Sequence, residues 1–196
     1  MVETLRIKQM RQEDLTQRQL ELIVGSLLGD EYLVKTTKGY AFRVNHGLKQ
    51  REYVDWKHSI LENLVNSPPK SSGKRYYFRT VSHPSFDILR QQFYPSGKKV
   101  MPKDLVAENL SAFTLAVWIM DDGTKCGKQL RINSHCFSVE ENRILQEILS
   151  AKLGIKSVLN KDKDRVRIRI IQESMRQLKT LIKPYIIPSM LYKLPL

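Results

Sequence analysis

Apolar residues at helical spacing alternate along this chain with short segments in which every second residue is apolar. A capping box formed by Thr16 and Gln19 stands before the apolar run 20–28 and predicts the start of a helix. The segments 32–36 and 40–45 alternate around a polar turn, which is typical of the strands of a hairpin. The same periodicities predict a helix over 49–65, a strand over 74–81 and a helix over 84–93.

The order of elements then repeats in the remainder of the chain. We predict a helix over 111–122, a strand over 129–137, a helix from a capping box at 138–141 to Gly154, strands over 155–160 and 165–171, and a helix over 174–182. The two sets can be superposed at a period of about 90 residues, with FRVN at 42–45 over LRIN at 130–133. This predicts a lead-in (1–15), a first half (16–97), a linker (98–110) and a second half (111–196). Such a duplicated unit can read two half-sites as a symmetric dimer would.

The charge balance points to a polyanionic partner. The net charge is +13, from 33 Lys and Arg against 20 Asp and Glu, and the basic residues recur inside predicted strands. A merely solvated basic surface is the alternative, but nucleic acid is the first candidate. Cys126 and Cys136 lack zinc-site spacing, so we interpret both as reduced packing residues. No apolar run approaches the roughly 20 residues of a membrane span and no secretory signal is recognised, so we expect no membrane association and a reducing compartment.

Several predicted strands carry basic or amide side chains at every second position. The side chains that this alternation places on one face, and which we predict to contact DNA, are Arg43, Asn45, Arg75, Tyr77, Arg79, Gln129, Arg131, Asn133, Arg165, Arg167 and Arg169. Arg can bridge guanine, and Asn or Gln can bridge adenine, in the major groove. An ordinary half-solvated sheet would explain one such strand more easily than it explains four.

Acidic residues end the first helix of each half, at 29–31 (GDE) and 121–123 (DDG). A helix C-terminus carries partial negative charge, so the recurrence of carboxylates there suggests a compensating cation. Gly25 and Gly29 lie four apart and would let the two helices pack closely, so that Asp30 and Asp122 emerge side by side. Two such carboxylates suit Mg²⁺ and phosphodiester hydrolysis. Lys99 and Lys193 follow the last helix of each half in similar settings; each is an ordinary surface lysine or one member of a functional pair.

These residues resemble the motifs of the LAGLIDADG homing endonucleases, specifically the monomeric type with two motifs. The first motif is IVGSLLGDE at 23–31 and the second is LAVWIMDDG at 115–123. The segments 67–69, 98–102 and 181–195 add to the resemblance, which runs from about Thr16 to the C-terminus. It implies an α/β (α+β) fold of two αββαββα repeats, with the motif helices at the central interface and saddle-shaped antiparallel sheets in the major groove.

The resemblance also implies a reaction and the roles of single residues. It implies Mg²⁺-dependent hydrolysis of both strands of a long, near-palindromic double-stranded DNA site, giving staggered ends, with Mn²⁺ expected to substitute. By position, Asp30 and Asp122 would bind the metal, and Lys99 and Lys193 would lie near the attacking water and the phosphate. Asn133, Ser134 and His135 fall where the family places polar residues around the active-site water.

The second motif departs from the family consensus. Val117 replaces a Gly and Asp121 an Ala, so we expect asymmetric helix packing, and of the two adjacent acids we select Asp122, which stands before Gly123. An RNA-binding intron maturase and a non-cleaving DNA-binding regulator are the alternative functions on this fold; loss of the motif acids would favour the regulator, and here they are present. The expected location is intracellular and contains DNA, either an organelle matrix or the prokaryotic cytoplasm.

Overall fold

The chain folds as two copies of one αββαββα unit. The computed structural model describes residues 4–195; Met1 to Glu3, at the start of the predicted lead-in, and Leu196 lie outside the described residues. After a short helix α1 (Leu5–Met10), the first copy comprises α2 (Gln17–Leu28), β1 (Tyr32–Thr36), β2 (Gly39–Gly47), α3 (Arg51–Ile60), β3 (Lys70–Ser72), β4 (Arg75–Arg79) and α4 (Pro84–Phe93). After α5 (Lys103–Asn109), the second comprises α6 (Ala112–Asp122), β5 (Gly123–Cys126), β6 (Gln129–Ile132), α7 (Val139–Leu153), β7 (Ser157–Asp162), β8 (Arg165–Ile170) and α8 (Met175–Ile182).

Local sequence signals fix several helix ends as predicted. Thr16 and Gln19 form a capping box at the start of α2, and Ser138 and Glu141 form one at the start of α7, each satisfying backbone N–H groups that the first turn leaves free. Gly154 ends α7 with φ 65°, a left-handed conformation that a glycine adopts at little cost. These caps confirm the helix starts and the helix end predicted from the sequence.

The two sheets have the same topology. Their antiparallel strand orders are β1-β2-β4-β3 and β5-β6-β8-β7. The pairing register makes the equivalence exact residue by residue, because Arg43 lies opposite Arg79 in one sheet and Arg131 lies opposite Arg169 in the other. The duplication predicted from sequence and the α/β (α+β) class of two αββαββα repeats are thereby confirmed.

Helices α2 and α6 pack against each other where the two copies meet. Gly25 makes the close approach possible, because a Cβ there would lie 2.7 Å from the carbonyl oxygen of Thr114 and 3.0 Å from Cβ of Val117. The later part of α2, from Leu22 to Leu28, and nearly all of α6 are buried in one apolar core that continues through both copies. Within residues 4–195, no helix combines the length and the apolar composition that crossing a membrane requires.

Some elements differ from the sequence prediction. The strand predicted over 129–137 ends at Ile132, because the Ser134 N–H donates to the carbonyl of Ile132 (2.9 Å) and this tight turn directs the chain toward α7. The helix predicted over 49–65 is the α-helix Arg51–Ile60 with 3₁₀ turns at either end. The predicted lead-in contains α1 and the predicted linker contains α5, and the periodicity of the sequence did not predict the short strands β3 and β5.

Candidate active site

Asp30 and Asp122 lie at the ends of the two packed helices. Asp30 follows α2 and is exposed, whereas Asp122 is the last residue of α6 and is partly buried. The pKa of Asp122 is raised to about 7. Burial is the largest cause, and the negative charges of Asp30 and Asp121 add to it. Burial and nearby negative charge both favour the protonated form of a carboxyl group. The helix ends therefore bring two acids from separate halves together.

Each acid is accompanied by one lysine in an equivalent place. Nζ of Lys99 donates to the carbonyl oxygen of Gly29 at 2.8 Å, and Nζ of Lys193 donates to that of Asp121, also at 2.8 Å. Both carbonyls belong to the residue immediately before the acid, at a helix C-terminus whose partial negative charge attracts a cation. Burial lowers the pKa of Lys99, although the charges of Asp122, Asp121 and Asp30 act in the opposite direction. The two lysines thus flank the acids symmetrically.

The donor set of this site fits a divalent cation. The two carboxylates offer the hard oxygen ligands that Mg²⁺ and Mn²⁺ take, and a cation beside them would offset the burial and the neighbouring negative charges that raise the pKa of Asp122. Asp30 and Asp122 are the residues that could hold such an ion.

Asp121, the neighbour of Asp122, points away from this site. Its side chain is fully buried and its Oδ1 lies 2.9 Å from Nζ of Lys57, which also lies 3.0 Å from Oε1 of Glu31. Nε2 of His46 is 2.7 Å from the same Glu31 oxygen. We define these four residues, Glu31, His46, Lys57 and Asp121, as the Lys57 cluster. The geometry supports the choice of Asp122 over Asp121 as the candidate metal ligand.

Lys57 and Glu31 of this cluster remain charged although they are buried, whereas burial raises the pKa of Asp121. Burial alone would lower the pKa of Lys57, but the carboxylates of Asp121 and Glu31 raise it above its ordinary value. Burial would likewise raise the pKa of Glu31, but the charges of Lys57 and His46 bring it down to about 2. Sequence reasoning missed Glu31, His46 and Lys57. The signal available was Lys57 itself, which lies one helical turn after Tyr53 on the apolar side of the predicted helix.

Both sheets present arginines in pairs on the face opposite the helices. Arg43 lies directly across from Arg79, and Arg131 directly across from Arg169, with apolar neighbours such as Val44 buried on the other face. Like charges placed directly opposite are unfavourable in a sheet unless something anionic accompanies them. That the pairs recur at equivalent register indicates a surface suited to a polyanion.

The other sheet residues predicted to contact DNA lie on the same faces. Arg75 and Arg165 are exposed, while Asn45, Tyr77, Gln129 and Arg167 are partly buried. Several of these side chains hold one another: Arg167 donates to Asn133 Oδ1 at 3.1 Å, and Arg169 donates to Asn160 Oδ1 at 2.8 Å and to Gln129. Such contacts fix long side chains before any ligand binds, which reduces the entropy lost on binding.

Of the three residues predicted around the active-site water, only two are accessible. Asn133 and His135 are partly exposed, and Asn133 lies next to Asp122 through its backbone hydrogen bond. Ser134 is fully buried, and its hydroxyl bonds to the Asn142 side chain and accepts from the N–H of Ile168 at 3.2 Å. The structure therefore gives Ser134 a part in holding α7 to β8 and does not bring it to the solvent-facing site.

One of the two cysteines differs from its predicted role. Both are free thiols, as expected, but Cys136 is exposed, so it is not a packing residue. It lines a cavity of about 580 Å³ together with Lys98, Lys99, His135 and Arg165. This cavity opens beside the site on the side of the second sheet.

The duplicated fold and the two-helix acidic site define the class of this protein. Residues 20–178 match the LAGLIDADG DNA endonuclease family, and the chain belongs to that family. The homing endonuclease I-WcaI, solved bound to its DNA recognition sequence, shares the fold with a TM-score of 0.88 and 27% identity, over 98% of this chain and 93% of that one.

Two further proteins complete the comparison. The cytochrome b mRNA maturase bI2 of Debaryomyces hansenii is 36% identical over 197 residues, covering 92% of this chain and 74% of that protein. I-DmoI, solved in complex with DNA and Mn, matches with a TM-score of 0.57 and 15% identity over 85% of this chain and 96% of that one, a likeness of fold alone. The family resemblance recognised in the two motifs is confirmed.

Proposed function

We propose that this protein is a site-specific homing endonuclease that hydrolyses both strands of a long DNA target with a divalent metal, Mg²⁺ in the first place and Mn²⁺ as a substitute. The observation that carries the proposal is the meeting of Asp30 and Asp122, from separate halves, each with a lysine bonded to the preceding carbonyl. Family membership and the DNA-bound state of I-WcaI support it.

The residues of the site divide the work of phosphodiester hydrolysis. Asp30 and Asp122 would hold the metal, which when bound supplies Lewis-acid activation of water and stabilisation of the leaving oxygen. Lys99 and Lys193 would each place a positive charge beside one scissile phosphate, where negative charge grows in the transition state. Burial lowers the pKa of Lys99, so this lysine could also release and recover a proton more readily than an exposed one. Asn133 and His135 would orient water.

The sheets would read the target. We propose that the halves 16–97 and 111–196, joined by 98–110, act as a monomer on a near-palindromic site, each laying its arginine pairs along one half-site. Arg43, Arg79, Arg131 and Arg169 can bind phosphates or guanine edges, and amide side chains can bind adenine. A compartment that contains DNA, such as an organelle matrix or the prokaryotic cytoplasm, would be required.

Selection of cleavage sites from a randomised plasmid library tests this function. The purified protein is incubated with the library and Mg²⁺, and linear products are sequenced; the double variant Asp30→Asn/Asp122→Asn is the matched control. We expect linear molecules that share one long sequence, with the control retaining DNA binding and yielding none. Absence of any cut product across a range of metals and pH would refute the proposal.

A second function is favoured by one comparison. The relative from Debaryomyces hansenii is named an mRNA maturase, so this chain could assist splicing of a host intron by binding RNA on its basic sheets. Splicing of the host intron in the presence of the wild-type protein and of the Asp30→Asn/Asp122→Asn variant separates the two activities. Equal acceleration by both proteins would establish a maturase activity independent of the acids. A non-cleaving DNA-binding regulator would bind DNA but produce no linear molecules from the plasmid library.

A further inference from the structure

The Lys57 cluster lies at the contact between the two copies and includes the chain neighbour of each candidate metal ligand. Glu31 follows Asp30, and Asp121 precedes Asp122. Both side chains turn into the protein and meet at the same ammonium, with Nζ of Lys57 at 3.0 Å from Glu31 Oε1 and 2.9 Å from Asp121 Oδ1. The exposed fraction of the Lys57 side chain is 0%. One buried cation thus joins the backbone segments that carry the two acids.

The cluster resembles a metal site that the protein has filled with its own side chain. Ligand atoms of Glu31, His46 and Asp121 all lie within 4.8 Å of one another, as the ligands of an ion do. The Lys57 ammonium already bonds to both carboxylates, and the Asn45 N–H donates to the second oxygen of Glu31 at 3.1 Å. The ammonium therefore takes the place that a metal would take in this cluster.

The cluster also explains why the two motifs end differently. The strand register pairs Tyr32 with Arg43 and Thr124 with Arg131, so Gly29 corresponds to Asp121 and Glu31 corresponds to Gly123. A Cβ on Gly29 would lie 2.5 Å from Cβ of Asp121, so the missing side chain on one helix makes room for the carboxylate of the other. The endings GDE and DDG are therefore complementary halves of one arrangement.

We propose that Lys57 is a positioning residue for the metal-binding acids: by bonding to Glu31 and Asp121 it fixes the helix ends that carry Asp30 and Asp122. The inference rests on the proposed cleavage function. Removing the ammonium takes away the donor that hydrogen-bonds to both buried carboxylates and leaves them only the weaker bridge through His46, whose Nε2 lies 2.7 Å from Glu31 but 3.7 Å from Asp121. A displacement of about 1 Å at a reacting centre can slow a reaction by about 100-fold. Loss of this contact should therefore slow cleavage and leave the affinity for DNA nearly unchanged.

The test compares Lys57→Met with a substitution that only weakens the core. Val54→Ala, on the same helix α3 and equally buried, is the matched control, since it removes apolar volume and no charge. Because Lys57→Met alone could fail to fold, the double variant Glu31→Gln/Lys57→Met, which leaves the net charge unchanged, is measured as well. All proteins are compared at a temperature at which thermal unfolding shows each to be folded.

Two readouts are recorded for every protein. The first is binding of Mn²⁺ alone to the free protein, followed by electron paramagnetic resonance, with Asp30→Asn/Asp122→Asn defining the ions bound at the acids. The second is the single-turnover rate of DNA cleavage, with DNA affinity measured without metal. For both Lys57 variants we expect the half-saturating Mn²⁺ concentration to rise and the rate to fall, each at least about tenfold, with DNA affinity within about threefold.

The outcomes separate this inference from the proposed function. If the Lys57 variants bind Mn²⁺ and cleave DNA as Val54→Ala does, Lys57 is a core residue only and the inference is overturned. If the wild type binds Mn²⁺ through Asp30 and Asp122 but cuts no DNA, the cleavage proposal fails, while the Mn²⁺ titrations still decide the role of Lys57. If Mn²⁺ binding does not depend on the two acids, both are overturned.

Discussion

Replacing Asp122 with Asn should stabilise the metal-free protein while it abolishes cleavage. The folded protein raises the pKa of this carboxyl from 3.8 to about 7, mainly by burial and then through the charges of Asp30 and Asp121. A shift of about three units corresponds to about 4 kcal/mol of unfavourable free energy for the ionised group, since one unit is about 1.36 kcal/mol. Because Asp122 is partly exposed, we expect a gain of about 2 to 4 kcal/mol.

The gain must depend on pH in a defined direction. A carboxyl whose pKa is raised by folding binds more protons in the folded state, so its ionisation removes stability as pH rises from about 4 to about 7. The Asn variant should therefore be as stable as the wild type near pH 4, and its advantage in stability should reach its full size by pH 8. For a chain of this size, the difference at pH 8 corresponds to an increase in Tm of very roughly 4 to 16 °C.

Urea unfolding in the presence of a chelator, at several pH values, measures this difference. Asp164→Asn, in the exposed turn between β7 and β8, is the matched control for loss of a carboxylate and should change stability by less than about 0.5 kcal/mol. Saturating Mg²⁺ should raise the stability of the wild type but not that of the Asp122→Asn variant. A stability difference that is the same at pH 4 and pH 8, or a destabilised Asn variant, would refute the electrostatic reasoning.

Three further predictions concern packing, catalysis and binding. Gly25→Ala should lower the free energy of unfolding by about 1 to 3 kcal/mol, because its Cβ would meet the α6 backbone. Gly47→Ala should change little in the same denaturation assay, because its Cβ would approach only the carbonyl oxygen of Lys74, at 4.0 Å. Lys193→Met should slow cleavage of one DNA strand more than the other, so nicked plasmid should accumulate on a gel; equal slowing of both strands would contradict a separate lysine for each. Arg167→Ala should lose affinity at one or two base positions if it reads bases, or uniformly with a shallower salt dependence if it binds phosphate, and unchanged binding would remove it from the interface.

Sequence patterns predicted the elements whose signals are local. The two capping boxes, Gly154 and the acids at two helix ends each act within a few residues, so their structural meaning can be read without the fold. The recurrence of the same order of elements then predicted the duplicated architecture. The alternation of basic and apolar residues likewise predicted the faces of β4, β6 and β8.

Elements that depend on distant partners could not be predicted. Strands β3 and β5 show no apolar alternation of their own and exist because β4 and β6 offer them backbone partners. The Lys57 cluster joins residues 64 positions apart in the chain, and nothing in the sequence near Lys57 indicates that two carboxylates lie within hydrogen-bonding distance of it. Ser134 was expected at the water-accessible site because the family resemblance implies polar residues at 133–135, but β6 ends early, at Ile132, and the Ser134 hydroxyl lies in the interior.

The claim on which the account depends is that carboxylates from the two halves bind the same metal site. A crystal of the protein with its selected DNA duplex and Mn²⁺, measured at a wavelength at which Mn²⁺ scatters anomalously, tests it directly. We predict anomalous peaks at the ends of α2 and α6, coordinated by Asp30 and Asp122 and adjacent to the DNA backbone. Peaks at Glu31, His46 and Asp121 instead, or at only one of the two helix ends, would contradict the account.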